Sequence, residues 1–307
     1  MTTAGTSRDK GASIPTISVV IATYQRPELL HHCLQSILEN SLLPEEIIIV
    51  DQSEDSRSRH VVERFGTTEP PIRYVHSSPP NKSIALNTVI PHCIGDFLAL
   101  TDDDVTVDRE WLNTFLSLYA HSPDIDVYYG RMLPQPGTSP DTYVNLIVEE
   151  KPHTVEPLRT PLYPHFTGAN CFMRRSLCLK AGLFNPHFGP GAPLSNNDDG
   201  EMGYRLARFG ARMRFEPTLK IFHAPWRSPL DNQALMKEYA FSIGAFAGYT
   251  LRQGDTCPSR HLLMRLLAKA RRVLVGILLW QSHRVQDGII HLKAFSSGFL
   301  QGWGYKT

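Results

Sequence analysis

Two runs constrain this chain more than any other feature. Ile17-Ser18-Val19-Val20-Ile21-Ala22 and Glu46-Ile47-Ile48-Ile49-Val50 are almost wholly apolar. That is the pattern of parallel strands covered on both faces, whereas half-solvated strands alternate. Between them Leu29, Leu30, Cys33, Leu34, Ile37 and Leu38 form an amphipathic helical stripe, and Pro27 is well suited to open that helix. Strand, helix, strand of this length is a βαβ unit with a right-handed crossover. Ile72-Arg73-Tyr74-Val75 predicts a third strand, residues 84–93 a further helix, and Phe97-Leu98-Ala99-Leu100 a buried strand. At 307 residues there is core enough for one large α/β domain or two small ones.

In open parallel sheets, ligands bind beyond the carboxyl ends of the strands. Thr23-Tyr24-Gln25-Arg26, Asp51 and Asp102-Asp103-Asp104 all fall at such ends. Adjacent carboxylates repel, so burying three of them without a counter-charge raises their pKa values and costs stability. A divalent cation removes that penalty, since Mg²⁺ or Mn²⁺ takes one or two protein carboxylates and completes its shell with phosphate oxygens and water. In an extended segment Asp102 and Asp104 share a side, which makes them the pair expected to face the ion. The competing reading is a solvated acidic turn capping a helix that starts near Asp108. No GxGxxG follows the first strand and no GxxxxGK[ST] occurs, which argues against dinucleotide and P-loop sites.

Charge excludes little globally but is unevenly spread. Lys plus Arg number 31 against 30 for Asp plus Glu, so the molecule presents no strong field for nucleic acid. Residues 229–307 hold ten basic and four acidic side chains, a net of +6 against −5 for the remainder. Within them Leu262, Leu263, Leu266, Leu267 and Ala270 repeat at helical spacing beside Arg265, Lys269, Arg271 and Arg272. Such a helix in 260–295 lies on an anionic membrane face, or packs on the rest of the chain or on a second subunit in a homodimer. Five cysteines without disulfide-like spacing suit a reducing cytosol. Residues 1–15 read as a polar tail with no signal peptide, and Val273–Trp280 is far shorter than the ~20 residues of a bilayer span. The expectation is a cytoplasmic protein, soluble or peripheral at the inner membrane face.

The stretches Val19 to Pro27, Ile49 to Ser53, Asn81 to Asn87 and Gly95 to Asp104 together resemble the family 2 glycosyltransferases, over roughly residues 16–226. The resemblance implies a GT-A fold, with a mostly parallel central sheet flanked by helices, and an inverting, nucleotide-sugar-dependent activity. It divides the chain into a catalytic domain, 16–228, and a helical region, 229–307. The catalytic domain has a nucleotide-binding half, 16–130, and an acceptor half, 131–228. It implies that Thr23, Tyr24, Arg26 and Asp51 form the base and ribose pocket, and that Lys82, Asn87 and Asp103 border the nucleotide and diphosphate. Asp102 and Asp104 match the DxD pair that holds Mn²⁺ or Mg²⁺, and His223 matches a residue that completes that site. The family carries Arg before the asparagine, where this chain has Leu86. Read as residues alone, Arg26 could be a solvated loop charge, Asn87 a helix-surface side chain and Asp51 a structural cap.

The second half carries a matching set: Thr167 to Arg175, Gly182-Leu183-Phe184-Asn185, then Asn196 to Leu206. Counting back from Arg205-Leu206 places Asp198, Asp199 and Glu201 on the family's acidic motif, with Asp where the family has Glu. Asp199 is then the general base, which inverting transfer needs on the face opposite the leaving diphosphate. An alternative is a capping box, with Asp198 at the N-cap and Glu201 at N3 of a helix that Gly210 ends. Trp226 and Arg227 are placed along the acceptor path, and the proline-rich stretch 134–164 reads as an irregular acceptor-side lid. The implied partners are a nucleotide-sugar donor, UDP-linked by family habit, and a saccharide or lipid-linked saccharide acceptor. Two rivals stand beside this reading: a non-catalytic nucleotide-sugar-binding protein and a sugar-phosphate nucleotidyltransferase. The second would carry a Gly-rich basic loop after the first strand, which Ala22 to Arg26 is not.

Overall fold

Every residue of β2 (Glu46–Asp51) is buried, as its apolar run predicts. The computed structural model describes residues 14–139, 142, 146–155, 166–225, 227–259, 267, 271, 275 and 282–306. β1 (Ile17–Thr23) lies parallel to β2 on one side and to β4 (Phe97–Asp102) on the other, and β3 (Ile72–His76) extends the parallel set beyond β2. Beyond β4 the sheet becomes mixed. β8 (Asn170–Arg174) runs antiparallel between β4 and β6 (Val127–Pro134). β9 (Met213–His223) pairs in parallel with β6 and antiparallel with the short strands β5 (Val105–Val107) and β7 (His153–Val155). The order is β3-β2-β1-β4-β8-β6-β9-β5.

Side-chain alternation along the strands splits the core in two. Val19, Ile21, Ile47 and Ile49 pack with α1 (Pro27–Leu38), α2 (Arg57–Arg64) and α4 (Trp111–His121) on one face. Val20, Ile48 and Val50 pack with α3 (Lys82–Val89), α5 (Arg175–Lys180) and α6 (Asp198–Arg208) on the other. The stripe read in the sequence therefore buries Leu30, Cys33, Leu34 and Ile37 of α1. Asn170, wholly buried, ties the mixed half together: it accepts from Trp111 Nε1 at 2.8 Å and donates to the Arg131 and Leu219 carbonyls. All five cysteines are free thiols.

Several boundaries differ from expectation. The helix expected over 84–93 starts at Lys82, where Asn81 accepts from the Ile84 N–H as its N-cap, and α4 starts at Trp111 rather than near Asp108. The capping box foreseen at Asp198 and Glu201 is absent. Asn197 stands at that N-cap without a side-chain capping bond, and Glu201 pairs with Arg205 at 2.8 Å. A capping box does form at Ser228 and Asp231, opening α7 (Pro229–Arg252). Gly210, at φ +80°, ends α6 as anticipated, with Ala211 N–H donating to the Leu206 carbonyl. The proline-rich stretch is not wholly irregular, since β7 within it pairs with β9.

The C-terminal region is helical where described. α7 and α8 (Ser282–Gly304) cross so closely that a Cβ on Gly244, Gly248, Gly298 or Gly302 would run into the backbone of the facing helix. Among the described residues, no helix is long and apolar enough to cross a membrane. Trp226 and most of the basic amphipathic stretch 260–281 lie outside the described residues. At an open helical position, Gly→Ala gains about 1 kcal/mol in helix propensity. At Gly298 the clash with Phe241 reverses the sign: Gly298→Ala is expected to cost about 1–3 kcal/mol, read as a lowered melting temperature.

Candidate active site

Parallel register fixes where the polar groups meet. Thr23 lies level with Asp51 and Ala22 level with Asp102, so the first polar residues after three apolar strands reach one edge together. A cleft of about 810 Å³ opens there, lined by Thr23, Tyr24, Arg26, Gln52, Lys82 and the three aspartates. Asp198, Asp199, His223 and Arg227 also line it, and the C-terminal helices add Leu235, Met236, Tyr239, Ile243 and His291.

The three aspartates are not in extended chain, so the alternation argument for an Asp102–Asp104 pair does not hold. β4 ends at Asp102, and Asp103-Asp104 form the turn into β5. Each is held differently. Asp102 receives Lys82 Nζ at 2.6 Å. Asp103 is buried, accepting from Thr23 Oγ1 at 2.8 Å and from Arg26 at 3.0 Å. Asp104, also buried, has His223 Nε2 at 3.6 Å, Arg227 at 3.4 Å and Arg26 at 3.5 Å. Burial pushes the Asp103 carboxyl up to about 6, with repulsion from Asp104 and Asp102 added and the pull of Arg26 and the Thr23 bond opposing. His223 arrives through the pairing of β5 with β9, which sets it opposite Val105, and the Ala224 N–H bonds the Asp104 carbonyl at 2.8 Å.

Asp198 and Asp199 form the first turn of α6, where the helix N-terminus favours carboxylates. Asp199 packs so tightly on Gly168 that any Cβ there would strike its Oδ1. Burial first, then repulsion by Asp198, raises the Asp199 carboxyl to about 7 against the pull of Lys82, with Asp102 adding to the rise and a backbone hydrogen bond from Gly168 opposing it. Lys82 links the two carboxylate groups, lying 3.8 Å from Asp198 as well as on Asp102. Burial disfavours its ammonium, yet Asp102, Asp198 and Asp199 outweigh that and hold its pKa well above the usual value.

Two predicted residues sit apart from the cleft lining. Asn87 is a structural clamp: its amide donates to the Phe184 carbonyl at 2.7 Å and accepts the Phe184 N–H at 2.8 Å. Asp51 is wholly buried, accepting from Tyr74 Oη at 2.7 Å and from the Ser53 N–H at 2.9 Å. Its neighbour Gln52 reaches the cleft instead. Sequence reasoning gave no site role to Gln52, Tyr239 or His291. A step of one residue beyond Asp51 signals the first, whereas nothing in local spacing marks the other two.

The donors around Asp104 suit a hard divalent ion: carboxylate oxygens and an imidazole nitrogen. Among the described residues, no group of three or more His, Cys, Asp or Glu side chains is placed to hold a metal ion by itself. An ion here would therefore draw its remaining ligands from phosphate and water, the usual habit of Mg²⁺.

Comparison with known proteins bears on this geometry. The profile described as Glycosyl transferase family 2 matches residues 18–181. The chain is similar to the succinoglycan biosynthesis protein ExoM of Rhizobium meliloti, 37% identical over 105 residues, a third of each chain. It is also similar to the glucosyl-dolichyl phosphate glucuronosyltransferase of Haloferax volcanii, 24% identical over 182 residues. That match covers 56% of this chain and 57% of the relative, so the chain spans from a third to just over half the length of these two relatives. Among solved structures it resembles a Pyrobaculum calidifontis mannosyltransferase in complex with GDP-Man and Mn²⁺, with TM-score 0.62 and 17% identity over 96% of this chain and 89% of that one. Staphylococcus aureus TarS 1–349 with UDP-GlcNAc gives TM-score 0.56 and 16% identity over 95% and 93%. The fold is of the GT-A type, as the family resemblance implied.

The raised Asp199 carboxyl has a thermodynamic signature. An unfolded aspartate titrates near 3.9, so between about pH 4 and 7 the folded state binds more protons than the unfolded one. Stability of the unliganded protein should therefore fall as pH rises through that window, and Asp199→Asn should flatten the slope in thermal melts from pH 4.5 to 8.

Proposed function

The chain belongs to glycosyl transferase family 2, and from that premise we propose that it transfers a sugar, with inversion, from a nucleotide diphosphate donor to a hydroxyl acceptor. UDP is the favoured nucleotide, and polysaccharide or glycolipid assembly the setting. The observation that carries the proposal is Asp199: a carboxylate raised to about 7, in the same cleft as the Asp102–Asp104 turn. In this reading Asp199 accepts the proton of the acceptor hydroxyl while that oxygen bonds the anomeric carbon and the carbon–phosphate-oxygen bond breaks on the opposite face. A pKa near the working pH lets the base be largely ionised yet still basic.

Together with the phosphate oxygens of a bound donor, Asp102, Asp104 and His223 would hold Mn²⁺ or Mg²⁺. Such an ion, when bound, supplies positive charge for the departing diphosphate. Arg26, Arg227 and Lys82 place three more cations at the same end of the cleft. The GDP-Man and Mn²⁺ of one structural neighbour, and the UDP-GlcNAc of another, support a nucleotide-sugar donor.

Three outcomes test the proposal. Asp199→Asn is expected to lower transfer by about 10²–10⁴ while donor binding persists. The wild-type rate is expected to fall on the acid side of about pH 7, where the base is protonated. Thermal melts with UDP, dTDP, GDP and NAD, each with and without Mn²⁺, should show a metal-dependent shift for a nucleoside diphosphate that Asp104→Ala diminishes. A ligand at a hundred times its Kd adds about 2.7 kcal/mol. Donor binding without transfer in the wild-type protein would replace the enzyme with a non-catalytic nucleotide-sugar binder.

A further inference from the structure

We infer that the α7 wall of the cleft receives an apolar chain carried by the acceptor, so that the acceptor is an amphiphile whose hydroxyl-bearing head meets Asp199. The inference rests on the transferase reading of the cleft. Leu235, Met236, Tyr239 and Ile243 stand at i, i+1, i+4 and i+8 of α7, one side of the helix, and all four line the cleft. At 1.5 Å per residue that strip is about 12 Å long. Leu146 and Ile147 line the same cleft, held to β6 by backbone bonds of 2.9 and 3.1 Å between Ile147 and Met132. Met236 is 45% exposed and Leu235 half-buried, and neither joins an apolar cluster of the described residues.

Apolar side chains scattered singly over a surface are ordinary, but a contiguous strip inside a cleft marks a wall that a ligand covers. A sugar ring does not suit this wall, because each of its hydroxyls left without a partner weakens binding. Glu238, on the same helix, already accepts from Asn196 at 2.7 Å. Leu, Ile and Met gain instead by covering hydrocarbon, and Met adapts its shape to a flexible chain. Tyr239 marks where the chain ends and the head begins. Burial raises the pKa of its hydroxyl, Arg227 opposes, and Asp199, Asp102 and Asp198 add to the rise. The phenol therefore keeps its proton and can donate to a head-group oxygen beside the base. Because α7 lies outside the residues 18–181 matched by the family profile, this wall belongs to the C-terminal region and not to the matched core.

The test is calorimetric titration of wild type, the double variant Leu235→Gln with Met236→Gln, and Tyr239→Phe, alongside their melting temperatures. UDP, GDP and dTDP are titrated first in Mn²⁺, and the probes follow in the nucleotide that binds, below their micelle concentrations. The probes are methyl and octyl β-glucoside, for a glycolipid head, and methyl and farnesyl phosphate, for a lipid phosphate. Wild type should bind at least one long-chain probe about 10-fold or more tighter than its methyl counterpart, and the pair that shows this identifies the head. The double variant should lose that advantage while nucleotide affinity stays within about twofold and the melting temperature holds, since glutamine keeps the length and helix propensity. Tyr239→Phe should weaken the same long-chain probe about 3- to 10-fold and leave the nucleotide unaffected; unchanged probe affinity would overturn the role of its hydroxyl. A wild type that binds nucleotide but shows no chain preference would overturn the inference and leave the donor reading standing. So would a preference that survives in the double variant, or a loss that comes with a large fall in melting temperature. Binding of none of the three nucleotides by wild type would overturn the donor reading and this inference with it.

Discussion

The structure depends on keeping like charges together out of bulk water. Five aspartates, 102 to 104 with 198 and 199, converge on one cleft from positions almost a hundred residues apart, and three of them are buried. Without partners such a group would protonate or pull the site open. Lys82, Arg26 and Arg227 prevent this, and each bridges elements that the sheet brings close. Lys82 matters most in this respect, because it touches the strand-end aspartate and also the first turn of α6. The same balance leaves Asp199 near neutrality rather than fully acidic: it is the carboxylate whose burial and like-charged neighbour Asp198 outweigh the help it receives from Lys82.

The C-terminal hairpin belongs to this arrangement although it lies beyond the residues matched by the family profile. Close glycine contacts let α7 and α8 pack almost backbone to backbone, and α7 then lays Leu235, Tyr239 and Ile243 along the cleft. Phe246 and Tyr249 of α7 pack on Phe188 and Leu194, within the loop that leads into α6. Gln301 and Tyr305 add bonds to Pro193 and His187 in the same loop. The hairpin therefore supports the turn that holds Asp198 and Asp199 as well as walling the cleft.

Much of the fold was legible because burial on both faces leaves a mark on composition. The runs at 17–22, 46–50 and 97–100 could only be covered strands, and the α1 stripe could only face them. The candidate site was legible to the extent that polar residues closing apolar strands must gather at one sheet edge. Where reading failed, the cause was a local geometry that overrode a pattern. The aspartate triplet turns instead of running straight, Glu201 prefers Arg205 to a cap, and Asn87 spends its amide on the Phe184 backbone.

By itself the sequence determined a βαβ-based sheet with charged residues at its carboxyl edge and a basic helical C-terminal part. Those are consequences of hydrophobic periodicity and charge count, which need no knowledge of distant contacts. Only the tertiary structure decided which charges meet. His223 reaches Asp104 through β5–β9 pairing across the 118 residues between them in the chain, and Lys82 reaches both Asp102 and Asp198. Asp51 is wholly buried and bonded by Tyr74, while Gln52 beside it lines the cleft. These pairings arise from long-range register and packing, and no local pattern of residues encodes them.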